Sequence, residues 1–396
     1  MGITGQRRLS PEVSLLLLAS ILVSFLAASS APTPLYGIYQ ARWHFSPITT
    51  TVVFASYAVA VLVALLTVGK LSDHVGRRPV LLVAIAVQMV ALVIFVFADG
   101  VPTLLAARAV QGLAAGTATG AVGAGMLDVN RARGTLTNAI APGIGTGTGA
   151  LLSALFIQFL PAPTRLVYVV LLVILLVQAI GVMLMPETVT PMRGALRSLR
   201  PEVRLPRAVR RPVLVVLPVL FAVWALAGFY GALGPALVRA LGPTSIVVGG
   251  VALFVFAISS SITVLLLRRA PARTVMLIGI TALIIGMIIT LVSVTTDVVA
   301  GFFVGIALGG AGFGAGFQGS LMTVMPLVEA HERASVLSLL YIVCYVGFGL
   351  PAVIAGFLVV YGGGLPRTAD EYSAAIILLA AVALFGLRGV RKNAPG

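Results

Sequence analysis

The chain has 396 residues, 60% of them hydrophobic and only 9% charged, with a mean hydropathy of +1.13. Soluble domains carry roughly 25% charged residues, so this composition belongs to a protein dissolved in lipid and excludes enzymes of the soluble kind. A formal charge of +15 reads as loops held against anionic lipid headgroups rather than as a nucleic-acid surface.

The single cysteine, Cys344, excludes internal disulfides. His44, His74 and His331 are too scattered in sequence to read as a metal site. No Walker-type phosphate loop occurs, and the run from Gly314 to Gly319 matches a dinucleotide fingerprint only formally, inside an apolar span with no preceding strand. No cofactor is expected.

Apolar runs of about 20 residues predict twelve spans, which consume roughly 240 positions and leave no room for a separate folded domain. The first six begin near Pro11, Phe45, Arg78, Pro102, Gly134 and Thr164, and the last six near Pro212, Thr244, Arg273, Val298, Ala334 and Glu371. The first run continues past Ala31, too long for the apolar region of a cleavable signal peptide. With the N-terminus inside, the inner segments hold 21 of the 26 Lys and Arg residues and the outer loops four, Arg42, Arg165, Arg239 and Arg367, with Arg108 inside a span. That asymmetry predicts both termini on the cytoplasmic side of the plasma (inner) membrane.

Three segments are expected: a six-helix bundle over 1–186, a basic cytoplasmic linker over 187–211 and a second six-helix bundle over 212–396. In the linker, Arg193, Arg197, Arg200, Arg204, Arg207 and Arg211 recur at spacings of four and three, which suits one helical face, while Pro201 and Pro206 restrict it to short helical pieces. It reads either as a surface that steers anionic lipid or as an ordinary solvated loop. The halves echo one another about 200 residues apart: Asp99 answers Asp297, Gly112 and Gly116 answer Gly310 and Gly314, and Pro34 answers Pro235.

Between spans two and three runs Gly69-Lys70-Leu71-Ser72-Asp73-His74-Val75-Gly76-Arg77-Arg78-Pro79. Gly69 and Gly76 permit a tight reversal between antiparallel helices, Asp73 holds a carboxylate at the membrane edge, and Arg77 and Arg78 pin the next span. This segment resembles the G-x-x-x-D-x-x-G-R-R/K loop of the major facilitator superfamily. With the twelve spans and the internal echo, the resemblance covers essentially the whole chain. It implies an all-α membrane protein of twelve transmembrane helices in two pseudo-symmetric six-helix bundles. It also implies that Asp73 meets the start of span eleven, near Arg333, when the protein faces outward, and that Arg77 pairs with Asp128. The second-half loop from Arg268 to Arg273 lacks the aspartate, so this latch is one-sided.

Arg108-Ala109-Val110-Gln111-Gly112 in span four resembles the family's R-x-x-Q-G pattern, and Gly116 and Gly120 extend a face of small residues. An arginine in hydrocarbon costs about 3 kcal/mol on insertion scales, so its donors need partners. A cavity-facing cation is favoured over one bonded to carbonyls at a helix break or snorkelling to the interface. In span five, Pro142 and Gly145 match a glycine-rich pattern of exporters in the superfamily, while Thr137, Ala141 and Thr146 replace its other glycines. Close helix packing accounts for this span equally well.

All eleven acids are expected in loops or at span ends. Drug:proton antiporters that the chain resembles keep a carboxylate in the membrane, so this departure weighs against proton coupling and against cationic substrates. The cavity candidates are Arg108, Gln111, Gly112, Tyr36, Asn138, Pro142, Trp224, Tyr230, Gln318 and Tyr341, a set suited to a neutral or anionic amphiphile. The expected function is secondary active transport of a small organic molecule by alternating access. Export is favoured because the end of span one, from Ala31 to Tyr36, looks like the bacterial drug and arabinose-efflux branch. The expected partners are the substrate, protons as candidate coupling ion, and anionic lipid, in a monomer that is not an enzyme. Uptake of a sugar or organic acid is the alternative within the fold. A membrane sensor or a membrane-embedded enzyme is the alternative from another class.

Overall fold

The computed structural model describes residues 9–242, 245–329 and 331–389. Twelve helical spans cross it in succession. Span one is divided into α1 (Pro11–Ser30) and α2 (Pro32–Trp43), where Pro32 and Pro34 remove backbone donors at the joint. Ser10 caps the start of α1, and His44, in the left-handed region at φ 53°, stops α2. Ser46 caps α3 (Pro47–Val68), which leads through the one-turn α4 (Leu71–Val75) into α5 (Arg77–Val96). Then come α6 (Val101–Val129), α7 (Arg131–Phe159) and α8 (Leu166–Leu184), the fourth to sixth spans.

The linker contains only α9 (Ala195–Ser198) and a 3-10 turn (Arg207–Val209). Residues 201–206 between them are irregular, so the linker arginines do not share one helical face. Pro201 and Pro206 bracket that break, each lacking an N–H and forcing the residue before it toward extended backbone. The second half comprises α10 (Arg210–Ala240), α11 (Ile246–Leu266), α12 (Ala272–Thr295), α13 (Val299–Val324), α14 (Arg333–Tyr361) and α15 (Gly364–Gly389). The expected start of span eight at Thr244 lies outside the described residues.

Span twelve departs most from expectation, starting seven residues before Glu371. Gly363 and Gly364, at φ 109° and 89°, end the loop there, and Arg367 pairs with Glu371 one turn later at 2.9 Å. A hydropathy reading starts the span only where the apolar run starts and misses this polar first turn. As a result Asp370 lies inside a span, about 9 Å from its start at 1.5 Å per residue. This corrects the placement of every acid in loops or at span ends: the Asp370 Oδ1 is buried and without a hydrogen-bond partner.

Inside lipid, helix association relies on close backbone approach rather than on burial of apolar area. Gly112, Gly116 and Gly120 of α6 present a bare ridge to α3 and the turn after it. A Cβ on them would come within 2.5–2.8 Å of the carbonyls of Tyr57, Val61 and Gly69. In the second half, Gly279 and Gly286 of α12 meet Gly316 and Gly309 of α13 in the same manner.

The loop carrying α4 and the linker lie on one face, the linker face; the opposite one is the far face. The two halves meet along most of α11 against α7 and, through α2, α3, α10 and α14, toward the far face. Ser261 of α11 donates to the Ile140 carbonyl of α7 at 2.9 Å, and Gly250 sits against Ala150 and Ala154. Phe54 of α3 packs on Phe348 of α14 with centroids 4.8 Å apart, and Gly356 approaches Thr51. Gly231 of α10 meets the Phe54 ring, and Gly37 of α2 meets Arg239. Among the described residues no comparable packing joins α6 to α13 across the halves.

Candidate functional site

At the linker face, the loop between α3 and α5 is built around one buried guanidinium. Arg77 Nη1 donates to the Ser72 hydroxyl at 2.7 Å and to Asp73 Oδ1 at 2.5 Å, while its Nε donates to Asp128 Oδ2 at 3.1 Å. The half-exposed Asp73 therefore answers Arg77 in this conformer and not span eleven. The start of span eleven is held by the linker instead, where the Arg204 amide donates to Ser335 Oγ at 2.6 Å. Lys70 pairs with Glu202 at 2.7 Å, and its hydrogen bond and charge hold the exposed Glu202 carboxyl below the usual range. The linker thus touches both halves across the linker face.

Only one of the two glycines works by conformational freedom. Gly76 sits at φ 108°, whereas Gly69 is helical at φ −55° and is needed because a Cβ there would strike the Leu65 carbonyl. Sequence reasoning missed Glu187, just beyond span six. Its two carboxylate oxygens accept the amides of Arg77 and Arg78, at 2.8 and 3.0 Å, where α5 begins with unsatisfied donors. Arg78 reaches back to the carbonyls of Val182 and Met183 at the end of α8. The only sequence signal was an acid beside a span end, and its partners lie 109 and 110 residues away. Glu187→Gln keeps the shape and removes the charge from this helix start, so it should cost about 1 kcal/mol. A lowered Tm of the purified protein in detergent would register the loss, and an unchanged Tm would refute it.

Arg108 is 1% exposed and enclosed by α1, α3 and α6. Its Nη1 donates to the Ser29 carbonyl at 2.8 Å and to Gln111 Oε1 at 2.7 Å, and Gln111 passes the chain on to the Ala28 carbonyl at 2.9 Å. The guanidinium carbon lies 4.3 Å from the Tyr57 ring centroid and 5.9 Å from that of Phe54. Its Nε has no partner, nor does the buried Tyr36 hydroxyl. The side chain points neither into lipid nor into an open cavity; with the far face packed shut, it is sealed in the first half.

In the second half Trp224 sits among Phe313, Phe317, Tyr345 and Phe348, with centroids 5.0–5.8 Å away. These rings come from α10, α13 and α14, and all are partly exposed, as are Gln318 and Tyr341. Among the large hydrophobic residues of α10 only Leu214 is exposed, so this helix is shielded from lipid and its partly exposed Trp224 looks inward. Trp224 Nε1 and Gln318 Oε1 lack hydrogen-bond partners.

Several cavity candidates are placed elsewhere. Gly112 is buried in the α3–α6 seam, where the absence of a side chain lets the backbones touch. Tyr230 is 2% exposed and bonds Thr290 at 3.0 Å inside the second half. Pro142 lies within the continuous α7 beside Gly143, which packs on α11. Asn138 is exposed toward the linker end of α7, close to Gly123.

Twelve helical spans in two halves, joined along α7 and α11 and toward the far face and bridged by the linker across the opposite face, define a membrane protein of the alternating-access carrier fold. The family model of the Major Facilitator Superfamily matches residues 16–269, and the chain belongs to that superfamily. It is 38% identical over 74 residues to an uncharacterized transporter of Rickettsia bellii (strain RML369-C), and 40% identical over 70 residues to Multidrug resistance protein D of Escherichia coli (strain K12). Those segments are 19% and 18% of this chain, and only 18% and 17% of the two relatives. Among solved structures, a bacterial homolog of the human lysosomal transporter Spinster, inward-facing and unoccupied, superposes with a TM-score of 0.74 at 15% identity, covering 100% of both chains. A mutant of the nucleoside transporter NupG gives 0.71 at 13% identity, covering 96% of this chain and 98% of that one.

Proposed function

We propose that the protein is a secondary transporter that exports a small organic molecule across the bacterial inner membrane, with protons as the coupling ion and no chemical step. The observation that carries this reading is the asymmetry of packing. Contacts of α2, α3, α10 and α14 join the halves toward the far face, whereas among the described residues α6 and α13 make no comparable contact across the halves, and Trp224, Gln318 and Tyr341 are partly exposed. The placement of 21 basic residues on segments of one side supports a cytoplasmic linker face and cytoplasmic termini. The likeness to a multidrug resistance protein supports export.

In this reading the bundles are residues 1–186 and 212–396, acting as a monomer and rocking about the far-face seam, and the linker arginines rest on anionic lipid. Closure of the cytoplasmic side brings Asp73 to the start of α14 in place of Arg204. The aromatic group around Trp224 receives the apolar part of the solute, and Arg108 its polar or anionic part as the far face opens. Transport of a compound panel into inverted membrane vesicles, with and without an imposed pH gradient, tests this. Accumulation that rises with an acid interior is expected. Accumulation only in right-side-out vesicles would assign uptake instead, and none in either orientation would remove the reading.

A further inference from the structure

Two of the far-face cations that meet no carboxylate among the described residues, Arg239 and Arg42, line one opening. Arg239, in the last turn of α10, lays its guanidinium against α2. A Cβ on Gly37 would stand only 3.1–3.3 Å from its Nη2, Nη1 and Cζ, so the glycine makes the seat for that planar group. Arg42, on the last turn of α2, lines the same opening, a cavity of about 850 Å³ between spans one, seven and eight. Like charges placed together without a counter-ion are unfavourable unless an anion sits between them.

Beneath it lies a second cavity of about 120 Å³, which shares Gly37, Gln40 and Arg239 with the first. Its wall includes Tyr36 and Thr50, 4% and 6% exposed, and the hydroxyl of each is buried without a hydrogen-bond partner. A helix-end arginine in water needs no such floor. Two buried donors beneath two unpaired guanidinium groups form a graded site: charge at the mouth, hydroxyl donors at the base, and the Gln40 amide between them.

We propose that this far-face pocket binds the carboxylate or phosphate group of an anion, with Arg239 and Arg42 neutralising its charge and Thr50 and Tyr36 donating to its oxygens. The pocket needs no particular direction of transport and stands apart from the Trp224 group, while its floor residue Tyr36 adjoins Arg108. It is a distinct stop for an anionic solute at the outer mouth, or a seat for an anionic lipid headgroup; the chemistry is the same.

The test uses the full-length protein in phosphatidylcholine nanodiscs, titrated calorimetrically with benzoate and with its uncharged isostere benzamide. Benzoate should bind, and benzamide should bind about tenfold more weakly or not at all, as expected for loss of a charged hydrogen bond. Arg239→Gln should weaken benzoate by about tenfold and Thr50→Val by a few-fold, with Arg239→Lys between them. Arg42→Gln, at the exposed end of α2, carries the test if the Arg239 variants do not fold. In a second arm, nanodiscs containing phosphatidylglycerol report the lipid source: competition with benzoate that vanishes in Arg239→Gln supports a headgroup in the same site. Equal binding of benzoate and benzamide, undiminished benzoate binding in both Arg239→Gln and Arg42→Gln, or no benzoate binding to the wild type would overturn the proposal. Because binding is read without transport, a failure here is distinguishable from a failure of the export reading.

Discussion

Arg108→Lys is expected to lower the transport rate in proteoliposomes by about tenfold or more while the protein still folds. The native guanidinium does three things at once: it bonds the Ser29 carbonyl, it bonds Gln111, and its central carbon lies 4.3 Å from the centre of the Tyr57 ring. Both hydrogen bonds leave the one nitrogen Nη1, and the lysine stem is an atom shorter, so its ammonium cannot reach both acceptors and also keep its charge over the ring. The lost stacking and one lost charged hydrogen bond together are worth roughly 1.5–3 kcal/mol, or ten- to a hundredfold in a rate that depends on them. Gln111 retains its bond to Ala28 and the lysine can still reach one acceptor, so Tm should fall by only a few degrees. A lysine variant transporting at the wild-type rate would show that Arg108 serves packing alone.

Gly76→Val should be the most damaging change to stability, costing about 3 kcal/mol or more. Two effects combine at this position. A β-branched residue at φ 108° is strained by roughly 1–3 kcal/mol wherever it occurs. The new Cβ would also stand 2.7 Å from Glu187 Oε2, driving the carboxylate off the Arg77 and Arg78 amides at the start of α5. A sharp loss of folded protein on gel filtration and a lowered Tm are the expected readouts. A cycle of Gly76→Ala with Glu187→Gln separates the causes: effects that simply add would mean backbone strain alone, and less-than-additive effects would mean that the glycine protects the carboxylate.

The loop around Gly76 also shows how far a linear reading reaches. Asp73, Gly76, Arg77 and Arg78 stand out because a short reversal between two membrane helices tolerates few residue types. Glu187 did not, because a carboxylate after a span is ordinary until the end of α8 is known to lie beside the start of α5. Asp370 was misplaced because a polar first turn, Pro366 to Glu371, hides a helix start from any scale that averages hydropathy. Gly112 was read as cavity-facing from the R-x-x-Q-G resemblance and Tyr230 from residue type, and both face neighbouring helices.

By itself the sequence determined the twelve spans, their polarity in the membrane as an expectation, and the superfamily loop. Hydrocarbon favours helices of about 20 apolar residues that satisfy their own backbone hydrogen bonds, and each of these features is local. Only the tertiary structure decided which helix faces meet. Lipid solvates an exposed leucine about as well as a neighbouring helix does, so no hydrophobic stripe marks the inner face of a membrane helix as it would in water. For that reason the seam between α7 and α11, the enclosure of Arg108 under Tyr57, and the shared opening of Arg42 and Arg239 above two unpartnered hydroxyls emerge only when the helices are packed.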